Sequence, residues 1–185
     1  MITKERLNFL SGVIGFGVSF YFGIWMLSHD TIPQNPASWM MWAMLDYCAV
    51  ALYIEAGNKK PYLQIGWAMS ATFVVAILVI NGISWKWDAV EIFSIIATMI
   101  ATYFWIKNKS EEGLWICATA LLFAGIPLAC DSWKEPQIET WWLWAGTTLA
   151  CVLSIVTSPK IDVKNTLVTF SAVIYNIMIL LIMFR

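Results

Sequence analysis

The chain has 185 residues, of which 60% are hydrophobic and only 12% charged, with a formal net charge of −1 and a mean hydropathy of +0.71. A soluble domain carries about 25% charged residues, so the composition excludes an ordinary water-soluble globule and points to an all-α, polytopic integral membrane protein. With neither a basic stripe nor an acidic tail, it gives no support to nucleic-acid binding.

The apolar residues run in blocks of roughly 18 to 22, the length that crosses a hydrocarbon core about 30 Å thick. The first block, Asn8 to Ser28, is too long for a signal-peptide core and lacks a small-residue cleavage site after it, so it is expected to remain as a helix. Along it Ser11, Gly15, Ser19 and Gly23 recur every four residues, a stripe that lets another helix approach closely. His29, the single histidine, follows beside Asp30. One histidine without nearby ligands makes neither a metal site nor a triad.

The second block, Ala37 to Ala56, opens after Pro33 and Pro36 and contains Asp46 about halfway along. Asp46 lies one helical turn after Trp42, on a face shared with Ser38, Ala49 and Tyr53. A carboxyl at mid-membrane is costly; such groups face a cavity, find a partner or relay protons, and burial favours their protonated form. The alternative reading is an interhelical hydrogen bond that holds the bundle together.

The third block, Tyr62 to Ile80, follows Gly57-Asn58-Lys59-Lys60-Pro61 and ends at Asn81-Gly82, both strong turn signals. The fourth, Ala89 to Ile106, starts with Asp88 and Glu91 and carries Ser94, Thr98 and Thr102 on one stripe. That stripe reads either as a polar lining or, more plainly, as carboxylates favouring a helix N-terminus and hydroxyls bonding back to their own backbone. The fifth, Gly113 to Cys130, contains Gly125 and Pro127, and the proline is expected to kink it. The sixth runs from Thr140 to Val156 and the seventh from Leu167 to Phe184, where Asn176 beside Tyr175 is the mid-span carboxamide.

Cys48, Cys117, Cys130 and Cys151 all fall within or at the edge of these blocks, with no short metal or redox spacing; they are expected to pack as small hydrophobes. Of the 12 tryptophans, Trp39, Trp85, Trp87, Trp133, Trp141 and Trp142 fall at span ends, where indoles form interfacial belts. Trp42 and Trp144 lie one turn deeper.

Lysine and arginine set the expected orientation. The N-terminus and the loops after the second, fourth and sixth blocks hold Lys4, Arg6, Lys59, Lys60, Lys107, Lys109, Lys160 and Lys164. The opposite side holds Lys86, Lys134 and Arg185. Under the positive-inside rule this places the N-terminus in the cytoplasm and the C-terminus outside.

Two segments repeat: Pro33-Gln34-Asn35-Pro36-Ala37-Ser38-Trp39-Met40-Met41-Trp42 and Pro136-Gln137-Ile138-Glu139-Thr140-Trp141-Trp142-Leu143-Trp144. Aligned at about 103 residues, the step from Pro33 to Pro136, the first three blocks fall on the last three and the fourth is left over. Both triplets then enter the membrane from the same side, as parallel repeats. The expected organisation is a first three-helix repeat over 1–82, a linker helix over 83–110 and a second repeat over 111–185. Asp46 finds only Thr148 near its equivalent position, one turn after Trp144.

This three-one-three plan, with Pro33-Gln34 and Pro136-Gln137 between the first and second helix of each triplet, resembles the PQ-loop superfamily that includes the SWEET sugar transporters. SWEET-type proteins usually place the N-terminus outside, whereas the charges here argue the reverse. The chain also resembles a set of uncharacterised bacterial membrane proteins with a Pro-Gln/His, Ser/Thr-Trp-x-x-Trp signature, through Pro33 to Trp42, Lys60-Pro61-Tyr62, Gly125-Ile126-Pro127 and Trp133-Lys134-Glu135-Pro136. That likeness implies the bacterial inner (cytoplasmic) membrane. The SWEET likeness implies a central site of Asn and Trp, and so nominates Asn176, Trp42 and Trp144.

The expectation is a small-solute transporter or permease with a substrate site between the triplets, drawn from Trp42, Asp46, Trp144, Thr148 and Asn176. A titrating Asp46 would couple it to protons. The alternative is a non-transporting membrane subunit or receptor-like protein whose Trp faces bind a partner helix or lipid. Enzymatic activity is not expected, because no nucleophile–base pair or metal cluster can be assembled, and no cofactor or metal is expected. The expected partners are membrane lipids, an unknown small solute and, as an open alternative, a second copy of the chain.

Overall fold

The computed structural model describes residues 3–28, 35–134, 136 and 138–185. Among these the chain is all-helical: α1 (Lys4–Met26), α2 (Pro36–Glu55), α3 (Tyr62–Ile80), α4 (Ala89–Ile106), α5 (Ser110–Ala124), α6 (Ile126–Lys134), α7 (Trp141–Thr157) and α8 (Val163–Met183), with a 3-10 turn at Ile138–Thr140 before α7. His29, Asp30, Pro33, Gln34, Glu135 and Gln137 lie outside the described residues, so the first Pro-Gln pair and the glutamine of the second do too.

The helix ends follow from local chemistry. The Thr3 hydroxyl accepts from Arg6 N–H to cap α1. The Asn35 side chain caps α2 by accepting from Ala37 N–H, with Pro36 at the first helical position, where its missing N–H costs nothing. Asp88 and Glu91 form a capping box at the start of α4. The two hydroxyls further along that helix bond back to their own backbone, Thr98 to the Ser94 carbonyl and Thr102 to that of Thr98.

Among the described residues, five helices are long and apolar enough to cross a membrane: α1, α2, α3, α7 with its preceding turn, and α8. The apolar part of α4, Glu91–Ile106, is shorter. The fifth block is not one continuous helix but α5 and α6, divided at Gly125. Pro127 explains the division. It has no N–H to offer the Phe123 carbonyl, and at the same point Gly125 N–H is shared between its regular helical acceptor, the Leu121 carbonyl, at 3.2 Å and the Leu122 carbonyl at 3.3 Å.

Within the first three helices α3 packs against both α1 and α2; within the last set α8 packs against both α5 and α7. Between the sets, α1 lies on α7 and α2 lies on α5, while α4 lies along α2 and α5. The small-residue stripe of α1 faces α3. Backbones nearly touch where Gly12 and Gly66 meet: a Cβ at Gly66 would stand 2.5 Å from the Gly12 carbonyl oxygen. Gly15 and Gly23 further along admit Leu63 and Ile77. The outward surface carries many large apolar side chains, among them Phe9, Tyr21, Ile80, Met99, Ile174 and Leu181, a coat suited to hydrocarbon rather than water.

Polar groups inside the bundle are mostly joined in pairs. Gln64 of α3 donates to Thr169 of α8 at 2.9 Å, and Val168 N–H donates to the Tyr53 hydroxyl at 3.0 Å. Cys48, Cys117 and Cys151 are buried thiols, and Cys130 is an exposed one. Trp85, Trp87, Trp133 and Trp141 are exposed at helix ends or in loops. Trp39 corrects the expectation of an outer belt: it is 7% exposed and packs against Phe22 and Trp42 at ring distances of 5.9 and 5.2 Å. Its position at the start of α2 points it inward, where it joins Phe22 of α1 and Ala71 and Val74 of α3 in one buried apolar cluster.

Candidate functional site

A cavity of about 740 Å³, counting its open mouth, lies where the two sets of helices meet. Its walls come from six helices: Ser19 of α1; Trp39, Trp42 and Asp46 of α2; Trp67, Ser70 and Ala71 of α3; Leu121 and Leu122 of α5; Leu143, Trp144 and Thr147 of α7; and Ser171, Ala172, Tyr175 and Asn176 of α8.

Four of the five sequence-nominated residues therefore converge. Helical phase decides the fifth. Thr147 faces the cavity, whereas Thr148 is half-buried and its hydroxyl donates to the Trp144 carbonyl of its own helix at 2.7 Å. A register estimate along two related helices is good to about one residue, and one residue turns a side chain by about 100°.

Five of the sixteen lining residues are aromatic: Trp39, Trp42, Trp67, Trp144 and Tyr175. Tyr175 is the hub: Trp42 stands edge-on to it at 6.5 Å and 74°, and Trp144 at 5.8 Å and 77°. Trp39 meets Trp42 at 70°. The Tyr175 hydroxyl donates to the Gly125 carbonyl at 3.0 Å, which ties this wall to the break between α5 and α6. The sequence offered no signal for Tyr175 or Trp67 beyond their aromatic character, because their roles arise from how α8 and α3 sit in the bundle.

The polar groups in this cavity differ from those elsewhere in the bundle. Among the described residues, five buried side-chain nitrogen or oxygen atoms have no hydrogen-bond partner, and four of them belong to its lining: Trp42 Nε1, Asp46 Oδ1, Trp144 Nε1 and Asn176 Nδ2. Asp46 and Asn176 are each only 5% exposed. Buried polar groups are otherwise paired in folded proteins, and leaving one unpaired costs about 1–3 kcal/mol. The hydroxyls of Ser70, Thr147 and Ser171 donate to carbonyls of their own helices, so towards the cavity they present oxygen lone pairs.

Ser38, expected on the same face as Asp46, turns away from the cavity. Its hydroxyl donates to Glu91 Oε1 at 2.6 Å. Glu91, 4% exposed, also accepts from Asn35 Nδ2 at 3.3 Å and from Asp88 N–H at 3.1 Å. This clasp fastens the start of α2 to the start of α4, and the Ser94-Thr98-Thr102 stripe beyond it contributes nothing to the cavity lining. Among the described residues no three His, Cys, Asp or Glu side chains gather as a metal site.

No family model, curated protein or solved structure matches the chain. Its class is defined by the fold and the cavity: an all-α bundle with helices of membrane-spanning length around an aromatic, sparsely polar cavity.

Proposed function

We propose that the chain is an integral protein of a bacterial inner membrane, N-terminus cytoplasmic and C-terminus outside, that carries a small solute through the cavity between two parallel three-helix units. In this reading α4 and the interrupted α5–α6 helix also span, giving seven crossings; the 18 residues of α4 reach about 27 Å at 1.5 Å per residue.

The pairing of helices supports the duplication. Exchanging the two units turns the α1–α7 contact into the α5–α2 contact, and in each unit the third helix lies between the other two. Ion pairs follow the same rule. Glu5 of α1 meets Lys60 just before α3 at 2.5 Å, and Glu111 of α5 meets Lys164 of α8 at 2.9 Å. Glu5 to Glu111 is a step of 106 residues and Lys60 to Lys164 one of 104, close to the 103 between the two Pro-Gln segments.

The observation that carries the functional reading is that four buried, unpartnered polar atoms all belong to side chains lining one cavity between the units. A site that serves only packing gains nothing from leaving them unpaired, whereas a solute can satisfy them all. A metabolite-library thermal-shift screen tests this, since a ligand that binds the native state raises its melting temperature by mass action. The expected result is a hit whose shift is lost in Trp42→Phe and Asn176→Leu. A protein that responds to no compound and copurifies with one stoichiometric partner would instead be a non-transporting subunit.

A further inference from the structure

We propose that the solute is a small organic cation, an ammonium group on a body bearing a hydroxyl or carbonyl oxygen, with Asp46 meeting its charge and the tryptophan and tyrosine rings enclosing it. This deepens the solute-site reading above and rests on it.

The first observation is a buried carboxyl with no partner. The cavity lining holds one acidic side chain, Asp46, and no basic one. All the lysines and arginines of the chain are exposed, so none can reach it. An ionised carboxylate in an apolar enclosure is tolerated only when something neutralises it. With Oδ1 unpartnered inside the protein, the neutralising group comes from outside, as a proton or as a bound cation.

The second observation is the wall. Trp39, Trp42, Trp144 and Tyr175 meet at 70° to 77°, so their rings bound the space from several directions. Aromatic faces attract cations through the ring quadrupole, most strongly when water is excluded, and boxes of such rings recognise substituted ammonium groups. A hydrocarbon-rich cation also suits the apolar remainder of the lining, Ala71, Leu121 and Leu143 among it.

The third observation selects among cations and against neutral solutes. The indole N–H groups of Trp42 and Trp144 and the Asn176 amide are donors. Three donors repel a bare metal ion, which wants a cage of oxygens, but satisfy an oxygen acceptor on the same ligand. An anion would satisfy the donors and forgo the attraction of an Asp46 carboxylate, and a neutral polyol would satisfy the donors and leave Asp46 holding a proton in place of a cation.

The test uses the purified full-length protein and its own tryptophan fluorescence. Choline and the shorter amino alcohols are titrated against dimethylbutanol, the uncharged carbon isostere of choline. The expected result is saturable quenching by at least one amino alcohol, with the isostere about tenfold or more weaker, and an Asp46→Asn variant that binds the two alike. The wild-type comparison decides the matter even where that variant does not fold. Equal binding of cation and isostere by the wild type overturns the assignment. So does a neutral library compound whose thermal shift depends on Asn176 when no amino alcohol binds, and that outcome leaves the solute site standing. Binding of nothing, charged or neutral, removes both.

Discussion

The hydroxyl of Tyr175 donates to the carbonyl of Gly125 at 3.0 Å, joining the hub of the aromatic cavity to the point where the fifth apolar block breaks. The contact is close on the carbon side too, for a Cβ on Gly125 would collide with the Tyr175 ring. Gly125→Ala is therefore expected to cost about 1–3 kcal/mol by overpacking and to weaken solute binding, because the ring must leave its place between Trp42 and Trp144. Tyr175→Phe removes only the hydrogen bond, at about 1 kcal/mol, and keeps the wall. Thermal unfolding in detergent, with and without a screening hit, separates the two.

The α1–α3 crossing makes a second prediction. Gly66→Ala places a methyl group 2.5 Å from the Gly12 carbonyl oxygen, and both partners are backbone, so neither can yield without moving a helix. Loss of about 2 kcal/mol or more is expected, read as a lower melting temperature. Gly17→Ala on the same helix meets nothing within 4 Å and should leave the melting temperature unchanged or raise it slightly.

Thr148 and Trp144 should separate cleanly. Thr148→Val removes a hydroxyl bonded within its own helix and is expected to leave binding of a screening hit unchanged. Trp144→Phe keeps an aromatic wall but deletes the unpartnered donor of a lining residue, and should weaken binding about tenfold. A titration of both variants with the same compound checks the contrast.

Outside the bundle core, the Lys60 ammonium hydrogen-bonds Glu5 and opposes its charge, holding the Glu5 carboxyl below the ordinary carboxylate range. A carboxylate so lowered stabilises the fold above its unfolded-state value, and that stabilisation is lost as pH falls through the lowered folded value. Both side chains are exposed, so salt screens the pair. Melting temperature followed on acidification at low salt should fall less steeply for Glu5→Gln than for the wild type, and the difference should vanish in high salt.

Much of the helical layout could be read in the sequence because hydropathy and turn residues report directly on burial in lipid. The block from Ala89 to Ile106 coincides with α4, and that from Tyr62 to Ile80 with α3. Where helices continue past the apolar run the reading stops short: α1 begins at Lys4 and α8 at Val163, since a capped polar turn is helical without being apolar. The break at Gly125 was legible as Pro127, though only as a kink. Of the cavity, Asp46 could be nominated from depth and polarity, and Trp42, Trp144 and Asn176 from the likeness drawn on the sequence. Thr147 in place of Thr148, Trp39 turned inward and Tyr175 as the hub depend on helix rotation, which a helix polar at few positions does not encode. Ser38 shows the limit from the other side: expected on the face of Asp46, its hydroxyl is taken instead by Glu91 of another helix.

Uptake into proteoliposomes tests the central claim most directly. With a compound that binds the purified protein, vesicles containing the wild type are predicted to take it up saturably and faster than empty vesicles, and vesicles containing Asn176→Leu are not. Uptake no faster than that of empty vesicles, for a compound that demonstrably binds, would contradict transport and leave the cavity as a receptor site.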